Sequence, residues 1–207
     1  MKATLVSKNP HKARELARLL PGWEIEPIDV PALPEETGRT FYENARAKAL
    51  FGRAVGDADA WMIGEDSGLE VEGLGGGPGI RSARYAGEGA RDEENTAKLL
   101  VELQGVAGEG RRARYVCELV CVAPGLEEYR GSGTLAGRIA AEPRGTGGFG
   151  YDPVFVPDGE ERTVAELGDG WKARRSHRAA AAAALRKAVG LTGPSARSAP
   201  GPRRRAR

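Results

Sequence analysis

Apolar and polar positions along the chain switch between a period of two and a period near 3.6, which lays out an alternation of strands and helices. Ala3-Thr4-Leu5-Val6-Ser7 reads as a first strand, and Ala13, Leu16, Ala17, Leu19 and Leu20 form the apolar stripe of a helix. Asn9 is a good N-cap and Pro10 suits the first helical position, so that helix is expected to start there and to stop at Pro21-Gly22. Trp23 to Ile28 alternates like a strand, Phe41 to Val55 is helical, and Ala60 to Gly64 is a further short strand. A third helix is expected over Glu93 to Leu103, ended by Gly105. In Arg112 to Val122, the residues Ala113, Tyr115, Cys117, Leu119 and Cys121 share one face of a long strand. Pro124-Gly125 turns the chain, and Tyr129 to Ile139 is expected to return antiparallel as a long hairpin. An alanine-rich helix over Ser176 to Val189 closes one mixed α/β unit over residues 1–192.

Composition narrows the class. A chain of 207 residues with 40% hydrophobic and 29% charged residues can bury a substantial core without staples. No apolar run reaches the roughly 20 residues that span a bilayer, so no membrane role is expected and the cytoplasm is the expected location. Cys117 and Cys121 lie four apart on one strand face, too far along it to bond, and read as buried thiols. With only His11 and His177 besides, a zinc set is poor and a metal would be held by oxygen. The net charge of +2 includes five arginines and no acid in residues 193–207, so the remainder stands at −3. That Pro/Gly/Ser/Arg segment reads as a disordered tail, and the body does not read as a nucleic-acid binder.

Chemistry concentrates in a few segments. Trp61-Met62-Ile63 reads as a strand end with Glu65 and Asp66 at its exit, Ser67-Gly68 forming a tight turn. Gly73, Gly75, Gly76, Gly77 and Gly79 would then let backbone amides approach a ligand. Lys12 lies in a first helical turn, where the macrodipole disfavours a cation unless an anion is near. Thr40 and Glu43 have capping-box spacing, which gives Glu43 a structural task and leaves Glu36 free as a second carboxylate for a divalent cation. Gly145-Thr146-Gly147-Gly148-Phe149-Gly150 fits the spacing of a dinucleotide fingerprint but leads into Tyr151-Asp152-Pro153 and no helix, which rejects that reading. The loop could instead hold an aromatic ring against a base, with Asp152 accepting hydrogen bonds. Lys172 and Ser176-His177-Arg178 add groups suited to phosphate or a base carbonyl. No P-loop and no G-x-S-x-G occurs, and a Ser67/His177/Asp152 triad has no local motif behind it.

Taken together, S-x-N-x-x-K-x-x-E (Ser7 to Glu15), E-T-G-x-T-F-x-E-N-A-x-x-K-A (Glu36 to Ala49), D-S-G-L through P-G-I-x-S-A-R-Y-A-G (Asp66 to Gly87), G-T-G-G-F-G-Y-D-P-x-F (Gly145 to Phe155) and S-H-R (Ser176 to Arg178) resemble the inosine triphosphate pyrophosphatase family. The resemblance implies an elongated mixed sheet flanked by helices, two lobes with a nucleotide cleft between them, and a homodimer. It implies hydrolysis of ITP, dITP and XTP to the monophosphate and pyrophosphate with Mg2+. By position, Asp66 matches the proton acceptor and magnesium ligand, and Glu36 a second metal-linked carboxylate. Ser7, Lys8, Asn9, Pro10, His11 and Lys12 match the phosphate-side loop, which leaves the glycine loop up to Arg84 as a wall of the cleft. Ser67, Phe149, Gly150, Tyr151, Asp152, Lys172, His177 and Arg178 match the other substrate contacts. Glu65 stands where many members carry Asp, which leaves the second metal ligand open among Glu65, Glu36 and Glu35.

On this reading Lys12 and Lys172 offset charge on the leaving pyrophosphate, Asp66 or Glu65 positions the attacking water, and His177 and Arg178 donate to a 6-oxo purine. Two alternatives stand beside it. A Maf-type pyrophosphatase for modified pyrimidine triphosphates lacks its paired arginines here, and a non-catalytic nucleotide or RNA module predicts binding without magnesium-dependent release of pyrophosphate.

Overall fold

The computed structural model describes residues 1–191, so the arginine-rich tail expected over 193–207 lies outside the described residues. The elements run β1 (Lys2–Leu5), α1 (Pro10–Leu19), β2 (Glu24–Pro27), α2 (Phe41–Val55), β3 (Trp61–Val71), α3 (Asp92–Glu102), β4 (Arg112–Val122), β5 (Glu128–Ile139), β6 (Phe155–Pro157), α4 (Val164–Arg175) and α5 (His177–Leu191), with short 3-10 turns between β3 and β4. One six-stranded sheet has the order β2-β1-β3-β4-β5-β6. The β1 strand is parallel to β2 and β3, and every pairing from β3 to β6 is antiparallel, so the sheet is mixed as expected.

The largest departure from the sequence reading is β3. It does not end at Ile63, and Ser67-Gly68 is no turn: the strand runs on to Val71, paired with β4 from Met62↔Val122 to Val71↔Ala113. The glycines that suggest a turn serve close packing. A Cβ on Gly64 would meet the α2 backbone at Ala45 and Ala49, and one on Gly68 would meet Ser82 and Gly79. Glu65 and Asp66 are therefore consecutive residues inside a strand and point to opposite faces of the sheet.

One face of β4 serves two cores. Cys117, Leu119 and Cys121 pack with Leu5, Leu16, Leu20, Ala181 and Leu185. Ala113 and Tyr115, earlier on the same face, pack with Leu69, Leu99, Leu103 and Phe155. Across the sheet Val120 and Val122 meet Ala45 and Ala49 of α2. These buried side chains, at ~25 cal/mol per Å² of apolar surface, are the main force holding the helices on the sheet. Both cysteines are buried and free, as their spacing requires.

The sequence reading has no helix over Val164–Arg175. Thr163 caps α4 by accepting from Glu166 N, while Gly168 at φ 76° breaks the helical path inside it, and that break hides the periodicity. The glycine-rich stretch after β3 is also corrected. The amides of Gly75, Gly76 and Gly77 donate to Glu72, Val71 and Leu74 carbonyls of the same loop, which leaves them closing the loop and not facing a ligand.

Candidate functional site

Where the two cores separate lies a cavity of about 100 Å³. One water needs roughly 10–15 Å³, so the space admits a planar ring. Strands β3 and β4 contribute Ser67, Gly68 and Tyr115, and α1 contributes Asn9 and Lys12. The loop before β6 supplies Phe149, Gly150, Tyr151 and Asp152, and α4 and α5 supply Lys172, His177 and Arg178.

At one end Asp152 is an organising acceptor. It takes hydrogen bonds from Phe149 N at 3.0 Å, Lys172 Nζ at 2.8 Å and Tyr115 Oη at 3.3 Å. Burial raises its pKa against the pull of Lys172. Lys172 is buried too, which works against its charge, but Asp152 and Glu15 hold it protonated. Its ammonium lies 4.6 Å from the Phe149 ring centroid, with the Arg178 guanidinium at 5.6 Å, a cation-π arrangement. Asp152 thus already holds its own loop.

His177 stacks on Tyr115 with centroids 4.6 Å apart and planes 11° apart. Burial, reinforced by the neighbouring Arg178, pushes its pKa well below 6.5, so the imidazole is neutral. Its Nδ1 and the Nε of Arg178 are buried without a hydrogen-bond partner. Arg178 is otherwise fully engaged, with Nη1 on Glu15 at 2.5 Å and Nη2 at 3.0 Å from both Glu65 and Ser67.

The two adjacent acids have different tasks. Glu65 faces α1 and α5, with Lys12 Nζ 2.6 Å from Oε2 in an ion pair lacking hydrogen-bond alignment. Burial alone would raise its pKa, but Lys12 and Arg178 drive it far below the carboxylate range. The anion that offsets Lys12 at the helix N-terminus is thus built into the fold. Asp66 faces α2, where Asn44 Nδ2 donates at 3.1 Å and Lys48 Nζ lies 3.2 Å away. Burial raises the Asp66 pKa, opposed by Lys48 and Lys12 and assisted by Glu36 and Glu65.

Glu36 also carries structure, contrary to the sequence reading. It bonds Arg84 Nη1 at 2.6 Å and pairs with Lys48. Burial opposes its ionisation, but Lys48 and Arg84 lower its pKa overall. Glu43 half-fulfils its capping box: Glu43 N donates to Thr40 Oγ1, while its carboxylate accepts from Arg39 N.

The structure brings ten of the fourteen expected substrate-contact residues onto the cavity. Ser7, Lys8, Pro10 and His11 are not among its lining. Ser7 Oγ accepts from Asn9 N, and Lys8 turns away to the Pro31 carbonyl at 2.5 Å. Pro10 opens α1, and His11 packs on Phe149 with centroids 5.2 Å apart. The sequence reading assigned no task to Asn44, Lys48, Glu15 or Asp92. Asn44 and Lys48 had a signal: they interrupt the buried stripe of Phe41, Ala45, Ala49 and Gly52 on α2.

Among the described residues, no three histidine, cysteine or carboxylate side chains converge as a self-sufficient metal site. Asp66 and Glu36 place hard oxygen donors around one ammonium, while Glu65 is locked on the other face and Glu35 is exposed. Two carboxylates are the protein share that Mg2+ takes when substrate phosphates complete its shell.

Comparison with known proteins adds a relationship to this geometry. Residues 3–188 match the model of the Ham1 family. A protein of Bdellovibrio bacteriovorus named dITP/XTP pyrophosphatase is 51% identical over 146 residues, 70% of this chain and 73% of the relative. A protein of the same name from Bacillus licheniformis is 46% identical, covering 86% and 92%. The solved structure of the Staphylococcus aureus Ham1 protein superposes with a TM-score of 0.79 at 36% identity, over 93% of this chain and all of that one.

Proposed function

Because the chain belongs to the Ham1 family, we propose that it is a nucleoside triphosphate pyrophosphohydrolase that cleaves ITP, dITP and XTP to the monophosphate and pyrophosphate. Relatives named dITP/XTP pyrophosphatase, alike over most of the chain, support that substrate class. The observation that carries the mechanism is the sharing of Lys48 between Glu36 and Asp66, whose strand also sends Ser67 to the ring-sized cavity.

Breaking the bond between the α and β phosphates requires charge neutralisation and an oriented water more than a covalent nucleophile. Asp66 takes the proton of that water. Its burial-raised pKa brings it toward working pH, and the hydrogen bond from Asn44 fixes its orientation. Lys48 keeps Asp66 ionised until the water is bound. Lys12 and Lys172, held by Glu65 and by Asp152 with Glu15, release part of their charge to the phosphates. Asp66 and Glu36 would hold Mg2+, which when bound neutralises phosphate charge.

A base ring enters beside Phe149, over whose ring lie the cationic heads of Lys172 and Arg178. Arg178 and neutral His177 in its Nδ1–H tautomer favour a 6-oxo acceptor, and a 6-amino group leaves those buried donors unpaired. The same reading carries forward a cytoplasmic homodimer, for which fractionation and sedimentation are the tests. Pyrophosphate release from ITP, XTP, dTTP and ATP, with and without Mg2+, tests the reaction. Phosphate as the product, a preference for dTTP, or binding without turnover each rejects it.

A further inference from the structure

Asp92 is the first residue of α3, a position where an acid is ordinarily explained by the helix dipole. The local task is already filled, because Glu94 Oε2 accepts from Arg91 N at 2.7 Å and closes the first turn. Asp92 reaches out of its own helix instead. Its Oδ2 accepts from the backbone amide of Gly150 at 2.6 Å, across 58 residues of sequence, and it lines the cavity. One turn further along α3, Thr96 Oγ1 lies 3.5 Å from the Gly150 carbonyl oxygen.

Gly150 joins Phe149, whose ring lies against His11, Lys172 and Arg178, to Tyr151, whose hydroxyl donates to the Ser82 carbonyl at 2.8 Å. The Asp152 carboxylate fastens this segment to α4, and Tyr151 fastens it to the turn after β3. Between them, the peptide nearest the Phe149 ring is held by Asp92, through a charge-assisted bond stronger than a neutral one.

We propose that Asp92 is a positioning residue that holds the Phe149-Gly150 segment over the cavity, and so sets affinity for the base of the nucleotide. This rests on the reading of the cavity as a base pocket. It goes beyond that reading by assigning the alignment of Phe149 to a side chain on a different helix. Asp92 touches neither phosphate-side group, so its loss is expected in binding and KM more than in kcat.

The test uses the full chain, Asp92→Ala and Asp92→Asn, with amide exchange at Gly150, calorimetric titration with IMP, and kcat and KM for ITP. In Asp92→Ala, exchange at Gly150 is expected to quicken by about tenfold or more, as a local opening loses its closing bond. IMP affinity should fall and KM rise by roughly three- to tenfold, with kcat within about twofold. Asp92→Asn, which keeps an acceptor, should recover most of the wild-type exchange protection and IMP affinity. Unchanged exchange in Asp92→Ala, faster exchange with unchanged IMP affinity, or an Asp92→Asn protein no better than Asp92→Ala overturns the proposal. A wild-type protein that binds IMP and shows these effects but releases no pyrophosphate sinks the reaction and leaves the positioning role standing. A wild type that does not bind IMP rejects both.

Discussion

Lys48 Nζ lies 3.2 Å from Asp66 Oδ1 and also pairs with Glu36, so one buried ammonium keeps two carboxylates of the site ionised together. Removing it leaves Glu36 with Arg84 but takes the paired ammonium from buried Asp66, a change that costs about 3–5 kcal/mol when a buried pair is broken. Burial already raises the Asp66 pKa and Lys48 opposes that rise. In Lys48→Met the pKa should rise further, so the acid limb of kcat/KM moves to higher pH. Lys48→Arg, which keeps the cation, should leave the limb closer to wild type. Profiles of kcat/KM between pH 5 and pH 9 check this, and an unmoved limb in Lys48→Met contradicts it.

Asp66→Asn removes the proposed proton acceptor but keeps side-chain shape and the possibility of bonding to Asn44. A loss of roughly 10²–10⁴ in kcat is expected, in the range for a positioned general base. The circular-dichroism spectrum should not change. Full turnover by this variant would remove Asp66 from the mechanism.

His177 supplies a stability signature. Its folded pKa is depressed below 6.5 by burial and by Arg178, so the unfolded chain binds the proton first as pH falls. The contribution is fully present above pH 6.5 and is lost as pH drops through the depressed value. Glu65 is also depressed, but from 4.5, which leaves a window between pH 6.5 and 4.5 free of its titration. Asp66 and Asp152, both raised from 3.8, push in the opposite direction and remain in wild type and variant alike. In that window wild type should lose stability relative to His177→Gln, approaching about 1.4 kcal/mol per pH unit. Urea midpoints at pH 7.5 and 5.0 measure it. A parallel fall in the two proteins places the imidazole outside the buried cluster.

Much of this site was legible because its residues obey local rules. Asn9 caps α1 as its side chain and the following proline require, accepting from His11 N and Lys12 N. The alternation of β4 assigns Tyr115, Cys117 and Leu119 to one face without tertiary information. Three things were hidden because the competing signal was tertiary. Ser67-Gly68 reads as a turn, and only the closeness of α2 to Gly64 and of the Ser82 segment to Gly68 gives these glycines a reason inside β3. Gly168 and Gly170 erase the period of α4, and with it the helical position of Lys172. Lys48 reads as one lysine among many until its place on the buried stripe of α2 is noticed. The opposite orientation of Glu65 and Asp66 follows from the strand, and it assigns them different partners that a turn would have let them share.

The central claim is that a carboxylate-activated water and a 6-oxo base pocket act on one nucleotide, and kcat/KM for ITP against ATP with the wild-type protein tests it most directly. A ratio of about 10² or more in favour of ITP, with pyrophosphate as the product, is expected where buried donors reject a 6-amino group. Equal values for the two nucleotides would contradict it.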